Sequence, residues 1–600
     1  MSLNAAAGLS GMLKDGHQHY FDDDAGESGA VVARSITAAC ELSRMLSSSL
    51  GPQGRCKLVV NHLEKIIVTS DCASILKEVD VQHPAAKLLE LAVQQQETEW
   101  GDATNLTVLF AGELLQQTME LMRTMGWKHS TDILEGYHLA STKLVNELLP
   151  SLVVQNVPHP ASLTSGKEED GVVLDVLKTV LGSKQYGTQD VLAPLVKEAC
   201  SIVWKKGDVL SAESIRTVKI LGGSLDMSCV VKGFVTQRGV ETTKTKSSKN
   251  AKIAIFACGM EASATEAKGT ILMKSAQELK AYNKTEETKM DEMIKGIAET
   301  GVEVVATGGT ISDMALHFLN RYNLIAIKIA SKWELRRLCQ ATNSTALVRI
   351  GPPTPEEIGT ATVTQKVVSG RTVTVFEKED EDGGKTSDIA TIVLRASTSS
   401  VLADLERAID DGVHAVETLC KDGRLVYGGG ATEMACSVEL DKYADQHPGL
   451  EQYAIRAFAK SLECVSKTLA ENAGWDAVQV VANQRAAHAT AATDAGITDI
   501  GIDIRPTFSL AASSILNLLD KDGSTIEPAT IAAITDDSLT SSSKGSSMEG
   551  IVSMKESKTY DLLAPKSSAF RLAVEAAMTV LKVDQIIMSK PSGGPSMPGQ

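Results

Sequence analysis

The periodicity of apolar residues changes character twice along the 600 residues of the chain, and this double change constrains its architecture more than any other feature. From about Gly29 to Leu50, the residues Val32, Ile36, Ala39, Ser43, Leu46 and Leu50 recur alternately four and three apart, the stripe of a helix. The helix is predicted to stop at "GPQG", because Gly51 and Gly54 loosen the backbone and Pro52 has no N–H to donate. "KLVVNHLEKIIVTSD" then supplies two short β-branched runs around a polar loop, the pattern of a hairpin, with Asp71 just past its second strand. Two further helices are expected. "HPAAKLLELAVQQQETEW" carries Pro84 in its first turn, which makes His83 a helix-start residue rather than a base. "NLTVLFAGELLQQTMELM" is apolar on most faces, hence deeply buried, with Leu115, Met119 and Met122 as core.

After a polar connector around Ser165 to Gly171, strands alternate with helices. "KIAIFAC", a charged helix from about Ala276 to Ile297, "VEVVATGG", "ISDMALHFLNRY", "LIAIKIA" and "SKWELRRLCQ" read as an α/β block, and Ser331 with Glu334 forms a capping box at the last of them. "TVTVF" and "ATIVLR" flank "EKEDEDGGKTSDI", which predicts a hairpin with a long acidic loop. Helices dominate thereafter, apart from the Ser/Gly-rich tract "SLTSSSKGSSMEG", read as a flexible insertion. Such a length exceeds one ordinary core, and a helical, α/β, helical order allows the two chain ends to share a discontinuous domain.

Composition removes several function classes. A formal charge of −16 gives no basic face for nucleic acid or an anionic membrane, so neither is expected as a partner. The ten cysteines include no C-x-x-C pair and no histidine at zinc-ligand spacing, so most are expected to be reduced core residues. The N-terminus has no basic segment followed by a sustained apolar stretch, and no run approaches the roughly 20 apolar residues of a membrane span. A cytosolic protein is expected.

Four distant fragments hold the polar inventory of a nucleotide site. "SLGPQG" and "VYGGGATE" place glycines next to helices, where bare N–H groups can approach an anion. "GDATN" offers Asp102 for magnesium and Thr104 and Asn105 for phosphate oxygens, and "ERAIDDGV" adds Asp410 and Asp411. Each fragment taken alone also has a structural explanation: a helix stop, a turn, an N-cap, or a solvated helix face. Neither familiar phosphate fingerprint is present. "GGKT" lacks its first glycine because Glu379 stands there, and "GGGATE" is not G-x-G-x-x-G. H-E-x-x-H and G-x-S-x-G are absent too.

The order of the fragments settles the choice between these readings. "LGPQGRCKLVVNHLEKIIVTSDCASILKEVDVQHPAAKLLELAVQQQETEWGDATN", then "ERAIDDGV", "VYGGGATE", "ENAG" and "LKVDQIIMSKPSGGP", resembles the group II chaperonins over nearly the whole chain. "NHLEKIIVTSD", "GSKQYG", "ATEAKGT" and "SKWELRRLCQ" place the resemblance among the eukaryotic cytosolic members. The resemblance implies a multidomain α+β chaperonin fold. Residues 1–150 and 409–600 would form a mostly helical equatorial ATP-binding domain, and 151–221 with 377–408 a small intermediate domain. Residues 222–376 would form an α/β apical substrate-binding domain with a helical lid protrusion at about 258–290, and about 508–560 a flexible insertion. It further implies ATP-driven folding of non-native proteins such as actin and tubulin, in a double ring shared with seven paralogous subunits.

Carried over residue by residue, Leu50 and Gly51 match the first nucleotide loop, Asp102 the magnesium ligand, and Ala103, Thr104, Asn105 and Leu106 the phosphate-contacting turn. Asp411 matches the carboxylate that activates water, and Asp71 a second one that places it. Gly182, Ser183 and Lys184 match the loop that senses the γ-phosphate, Gly429 and Gly430 the glycine turn near ribose and phosphates, and Asp561 the ribose-binding acid. ATP, ADP and Mg2+ are the implied cofactors. Ala103 departs from the family's usual glycine, and Asn105 from its usual threonine. The hairpin Cys56 to Ser70 and a strand around Val583 to Met588 would pair with neighbouring subunits.

Overall fold

In a computed structural model, residues 29–61, 64–125, 130–157, 169–204, 210–242, 244–261, 275–378, 389–491, 499–504 and 550–583 are described. They fall into two units: Met1–His159, Asp175–Gly187 and Lys421–Gln600 make one, Pro160–Leu174 and Thr188–Cys420 the other.

The first unit joins the chain's two ends through one core. Ile36 and Leu42 from the helix Gly29–Ser47, Leu89 and Val93 from Pro84–Trp100, and Phe110 and Leu114 from Thr104–Met125 pack with Phe458 and Leu462 from Glu451–Leu462. Phe570, Val574 and Ala577 of Leu563–Lys582 complete the cluster. Aromatic rings set its geometry. Phe110 meets Phe458 at 5.4 Å and Phe570 at 5.0 Å, both edge to face, the arrangement that ring quadrupoles favour. Gly112 lets the helices Gly29–Ser47 and Thr104–Met125 approach, since a Cβ there would lie 2.2 Å from that of Ser43. Leu115 and Met122 are buried, as their spacing predicts. His83 is the N-cap of Pro84–Trp100, its Nδ1 accepting from the Ala85 N–H at 3.2 Å. Burial holds its pKa below the ordinary value, consistent with a neutral acceptor nitrogen.

The second unit is built on a seven-stranded sheet. Phe234–Thr236, Arg371–Glu377, Gly359–Val368, Ser247–Phe256, Val304–Thr307 and Ile325–Lys328 lie side by side in that order, and Ala346–Leu347 also pairs with Ser247–Phe256. The last three in the row are mutually parallel because helices Ala276–Glu299 and Asp313–Arg321 provide the crossovers. Alternation along one strand separates two cores. Ile253 and Ile255 face Leu335 and Leu338 of the helix Lys332–Thr342, while Ala254 and Phe256 face Met290, Ile294 and Leu319. A three-stranded sheet places Ala390–Ala396 between Ile215–Leu221, to which it is parallel, and Cys229–Lys232.

Two expectations are corrected here. "TVTVF" and "ATIVLR" do not form a hairpin, because the former lies in the seven-stranded sheet and the latter in the three-stranded one. Both edges of Arg371–Glu377 are already occupied, by Gly359–Val368 across a tight turn and by Phe234–Thr236. The turn residues Ser369 and Gly370 have φ of 49° and 76°, the left-handed pair that a two-residue hairpin turn requires. The capping box is only half made. Ser331 accepts from the Glu334 N–H, but the Glu334 carboxylate pairs with Arg216 instead of returning to the cap. Of the ten cysteines, only Cys72, Cys200, Cys436 and Cys464 are buried, fewer than expected.

The expected insertion lies outside the described residues as far as residue 549, while its last part is regular rather than flexible, with the strand Ile551–Ser553, the short helix Met554–Ser557 and the start of the strand Tyr560–Leu562. Most of the acidic loop, most of the strand around Val583 to Met588 and residues 262–274 of the expected protrusion also lie outside the described residues. Among the described residues, no helix is long and apolar enough to cross a membrane.

Phe110→Ala removes the ring shared by three segments of the first unit's core. It should lower unfolding stability by about 3–5 kcal/mol, read as a shift in the denaturant midpoint of the full-length chain. A loss below about 1 kcal/mol would mean that the core does not depend on this ring.

Candidate functional site

Between the helices Pro84–Trp100 and Thr104–Met125 the chain reverses in three residues. Gly101 closes the first helix in the left-handed region at φ 68°, its N–H donating to the Glu97 carbonyl. Asp102 follows, and its Oδ1 accepts the Ala103 N–H at 2.6 Å. Ala103 then adopts φ 64°. For a residue with a Cβ that conformation costs about 1–2 kcal/mol, which glycine would avoid. The result is a half-buried carboxylate at the opening of a 22-residue helix whose first N–H groups point the same way.

Asn105 binds two other loops to this turn. Its Nδ2 lies 3.2 Å from both the Ser49 carbonyl and hydroxyl and 3.4 Å from the Ser70 carbonyl, while its Oδ1 accepts the Cys72 N–H at 3.1 Å. The side chain is thus committed to positioning the loop that ends in Leu50 and Gly51 and the one that carries Asp71. Asn472 acts similarly, donating to the carbonyls of Ser47 at 3.3 Å and Leu50 at 2.8 Å at the end of the first helix. Thr104 and Leu106 are buried, so Leu106 contributes to the core through its side chain.

Asp71 caps the helix Cys72–Glu78, its Oδ2 accepting the Ser74 N–H at 2.9 Å. Its Oδ1 takes the ammonium of Lys184 at 2.7 Å. Lys184 ends the helix Glu169–Lys184, directly after Gly182 and Ser183. Burial alone would raise the Asp71 pKa, but the Lys184 charge and the bonds from Lys184 and Ser74 outweigh it and hold the carboxyl well below the usual range. Asp102 goes the other way. Burial raises its pKa, Asp561 and Asp71 add to the rise, and Lys184 with the Ala103 N–H only partly offsets it.

The strand Arg424–Tyr427 runs antiparallel to Tyr560–Leu562, with Val426 opposite Asp561, and leads into Gly428, Gly429 and Gly430. Gly429 and Gly430 have φ of 63° and 77°, and Gly430 is the N-cap of the helix Ala431–Ala444. The turn is rigidly seated: Gln484 Nε2 and Ser466 Oγ both donate to the Gly430 carbonyl at 3.3 Å. Behind it, buried Lys566 forms ion pairs with Asp561 at 2.6 Å and with buried Glu433 at 2.8 Å. Gln96 Nε2 spans from the Asp102 carbonyl at 2.9 Å to the Pro565 carbonyl at 3.1 Å, tying the acidic turn to the segment that bears Asp561.

One unit therefore contains Leu50, Gly51, Asp71, Asp102, Ala103, Thr104, Asn105, Leu106, Gly182, Ser183, Lys184, Gly429, Gly430 and Asp561. Asp411, buried on the helix Ser399–Lys421, belongs to the other unit. Sequence reasoning missed Gln96, Glu433 and Lys566. A signal existed for two of them: Gln96 continues the apolar stripe of Leu89 and Val93, and Lys566 lies one turn before Phe570 on the buried face of its helix. A polar group on an apolar stripe needs a partner.

A magnesium ion with nucleotide fits this donor set. Among the described residues, no three His, Cys, Asp or Glu are grouped to hold a metal by themselves, and Mg2+ commonly uses one or two carboxylates with substrate phosphates. Asp102, half-buried at the opening of the helix Thr104–Met125, could serve as such a carboxylate.

The family model of the TCP-1/cpn60 chaperonin family matches residues 42–591 of the chain. The chain is 40% identical over 590 residues to T-complex protein 1 subunit theta of Arabidopsis thaliana, covering 98% of this chain and 96% of that protein. It is 40% identical over 594 residues to the subunit of the same name from Homo sapiens, covering 99% and 96%, and 40% over 600 residues to that of Saccharomyces cerevisiae, covering 98% and 96%.

Ala103→Gly relieves left-handed strain while loosening the unfolded chain, so a net stabilisation of about 0.5–1 kcal/mol is expected in denaturant titration. Destabilisation would show that Ala103 is not strained. The stability Asp71 draws from Lys184 is complete above the ordinary aspartate pKa of 3.8 and is lost as pH falls below it. Thermal melts from about pH 5 to pH 3 should therefore fall more steeply for the wild type than for Asp71→Asn. Parallel curves would contradict the ion pair's role.

Proposed function

The chain belongs to the TCP-1/cpn60 chaperonin family, and on that premise we propose that it is an ATP-hydrolysing subunit of a hetero-oligomeric cytosolic chaperonin. In this reading it shares a double ring with seven paralogous subunits, its hydrolysis drives lid closure, and enclosed clients such as actin and tubulin fold inside. The observation that carries the proposal is the gathering of Asp71 with Lys184, of Asp102, and of Asp561 beside the Gly428 to Gly430 turn, from five separate stretches into one unit.

Phosphoryl transfer to water depends on positioning and charge neutralisation more than on covalent help. Asp102 would hold Mg2+, which when bound neutralises charge on the phosphate oxygens. The helix opening at Thr104 directs its free N–H groups and positive dipole end at anions, and the Gly429 to Gly430 turn does the same before Ala431. Lys184 supplies a mobile positive charge. In the structure it neutralises Asp71, and a γ-phosphate would compete for it, leaving Asp71 free to orient water. Asp411 is the proposed base that takes the water's proton. Loss of the γ-phosphate returns Lys184 to Asp71 and changes what the helix Glu169–Lys184 is held by, which is the lever passed to the rest of the subunit.

A second reading, a chiefly structural ring subunit that holds nucleotide with little turnover, draws on one observation. Ala103 places a Cβ at a left-handed position where the backbone would approach phosphate.

Asp411→Ala should leave this subunit's ATP affinity within about twofold while lowering its turnover by at least about a hundredfold, measured by single-turnover hydrolysis in the assembled ring. Unchanged hydrolysis at this site would overturn the catalytic reading. ATP retained unhydrolysed in the wild-type pocket after many ring turnovers would favour the structural one.

A further inference from the structure

The backbone around Asp71 is held from both sides by a single side chain. Asn105, the second residue of the helix Thr104–Met125, accepts the Cys72 N–H on its Oδ1 at 3.1 Å and donates from Nδ2 to the Ser70 carbonyl at 3.4 Å. Those groups belong to the two peptide bonds that flank Asp71. The same Nδ2 donates to Ser49, whose carbonyl and hydroxyl both lie at 3.2 Å. A primary amide has two N–H donors and one carbonyl with two lone pairs. Ser49 takes one donor and Ser70 the other, while the Cys72 N–H and the Thr104 hydroxyl, at 3.4 Å, fill the oxygen, so no group of Asn105 is left for a phosphate. The loop itself is closed: the Asp71 N–H donates to the Thr69 hydroxyl at 3.1 Å, its carbonyl accepts the Ile75 N–H at 3.1 Å, and Thr69, Ser70 and Asp71 are buried.

We propose that Asn105 is a positioning residue that grips Asp71 by both of its peptide bonds, holds its carboxylate where it meets Lys184, and makes no contact with phosphate. The inference rests on the nucleotide reading above and, for this one residue, replaces the phosphate contact that the resemblance implies. The threonine usual in the family could not do the same work. Its hydroxyl has one donor, so it serves Ser49 or Ser70 but not both, and its oxygen stands one bond closer to the backbone. A carboxylate that orients water acts through its position, so loosening the grip lowers turnover while the N–H groups at the helix start, and with them nucleotide binding, stay in place.

The test uses the full-length chain in the assembly from which it is purified, photolabelled with 8-azido-ATP that is radiolabelled at the α- or the γ-phosphate. Label from the α-phosphate on this chain reports binding, and decay of the γ-label before photolysis reports hydrolysis at its own site. Asn105→Ala should slow that decay at least about tenfold and leave half-saturation of α-labelling within about twofold. On an Asp71→Asn background the same substitution should change the remaining decay less than about twofold, because the grip then has no carboxylate to place. Asn105→Thr should not restore the rate. A phosphate ligand would give the reverse, namely weakened α-labelling, additivity with Asp71→Asn and rescue by threonine, and that outcome overturns the proposal. A second readout needs no nucleotide. Thermal melts of the full-length chain from about pH 5 to pH 3 should fall less steeply for Asn105→Ala than for the wild type, since the bond from Lys184 to Asp71 loosens while Lys184 and Asp102 are unchanged. A purely structural role lowers the melts equally at every pH, and such parallel curves overturn the proposal as well. Wild-type labelling that ATP suppresses but whose γ-label does not decay overturns it while leaving nucleotide binding intact. Labelling that ATP does not suppress overturns the nucleotide reading and this inference together.

Discussion

The contact of Phe110 with Phe458 and Phe570 is the constraint on which the site depends. Phe110 lies early in the helix that opens at Thr104, and Phe570 early in the helix that opens at Leu563. Packing the two rings edge to face within one core brings the starts of both helices near each other. Asp102 and Asp561, which precede those starts, are carried along. Gln96 then locks the arrangement by donating to the Asp102 and Pro565 carbonyls. Two carboxylates more than 450 residues apart in the chain are thus brought within electrostatic reach. Neither lies on a flexible loop, which is what a site that works by positioning requires.

The charges in this unit are arranged in partially neutralised groups. Asp71 has its own cation in Lys184, and Asp561 shares Lys566 with Glu433. Asp102 shares no such close cation among the described residues, and burial raises its pKa while the Lys184 charge only partly offsets the rise. A bound cation would relieve it. Under the proposed function, the pairing of Lys184 with Asp71 would be one of two arrangements, lysine on the carboxylate or lysine on a phosphate, and a two-position contact is the element from which a nucleotide-driven change can be built. The fixed Lys566 cluster is its counterpart, since it is buried too deeply to exchange partners.

Much of this was legible in the residues. The stripe of Val32, Ile36, Ala39 and Ser43, the Pro84 helix start and the short apolar run of "KIAIFAC" correspond to elements of the structure because burial enforces those patterns directly. The false hairpin of "TVTVF" and "ATIVLR" shows where local reading stops: strand partners are chosen by which sheet edge is vacant, and neighbours in sequence do not reveal that. Polar residues followed the same divide. Asp71, Asp102 and Asp561 could be singled out through resemblance, but the commitment of Asn105 to Ser49, Ser70 and Cys72 is a tertiary fact. Lys566 and Gln96 showed a sign in their apolar registers, whereas Glu433 sits in a helix buried on most sides, where no stripe makes one charge stand out.

The central claim is that these separated groups converge on one Mg-nucleotide. A density map of the assembled ring, frozen during ATP turnover, tests it most directly. Nucleotide density in this chain with its phosphates at Asp102 and Lys184, its glycine contacts at Gly429 and Gly430 and its sugar at Asp561 is the predicted result. A pocket with no density there, or nucleotide bound in this chain with those side chains elsewhere, would contradict the account.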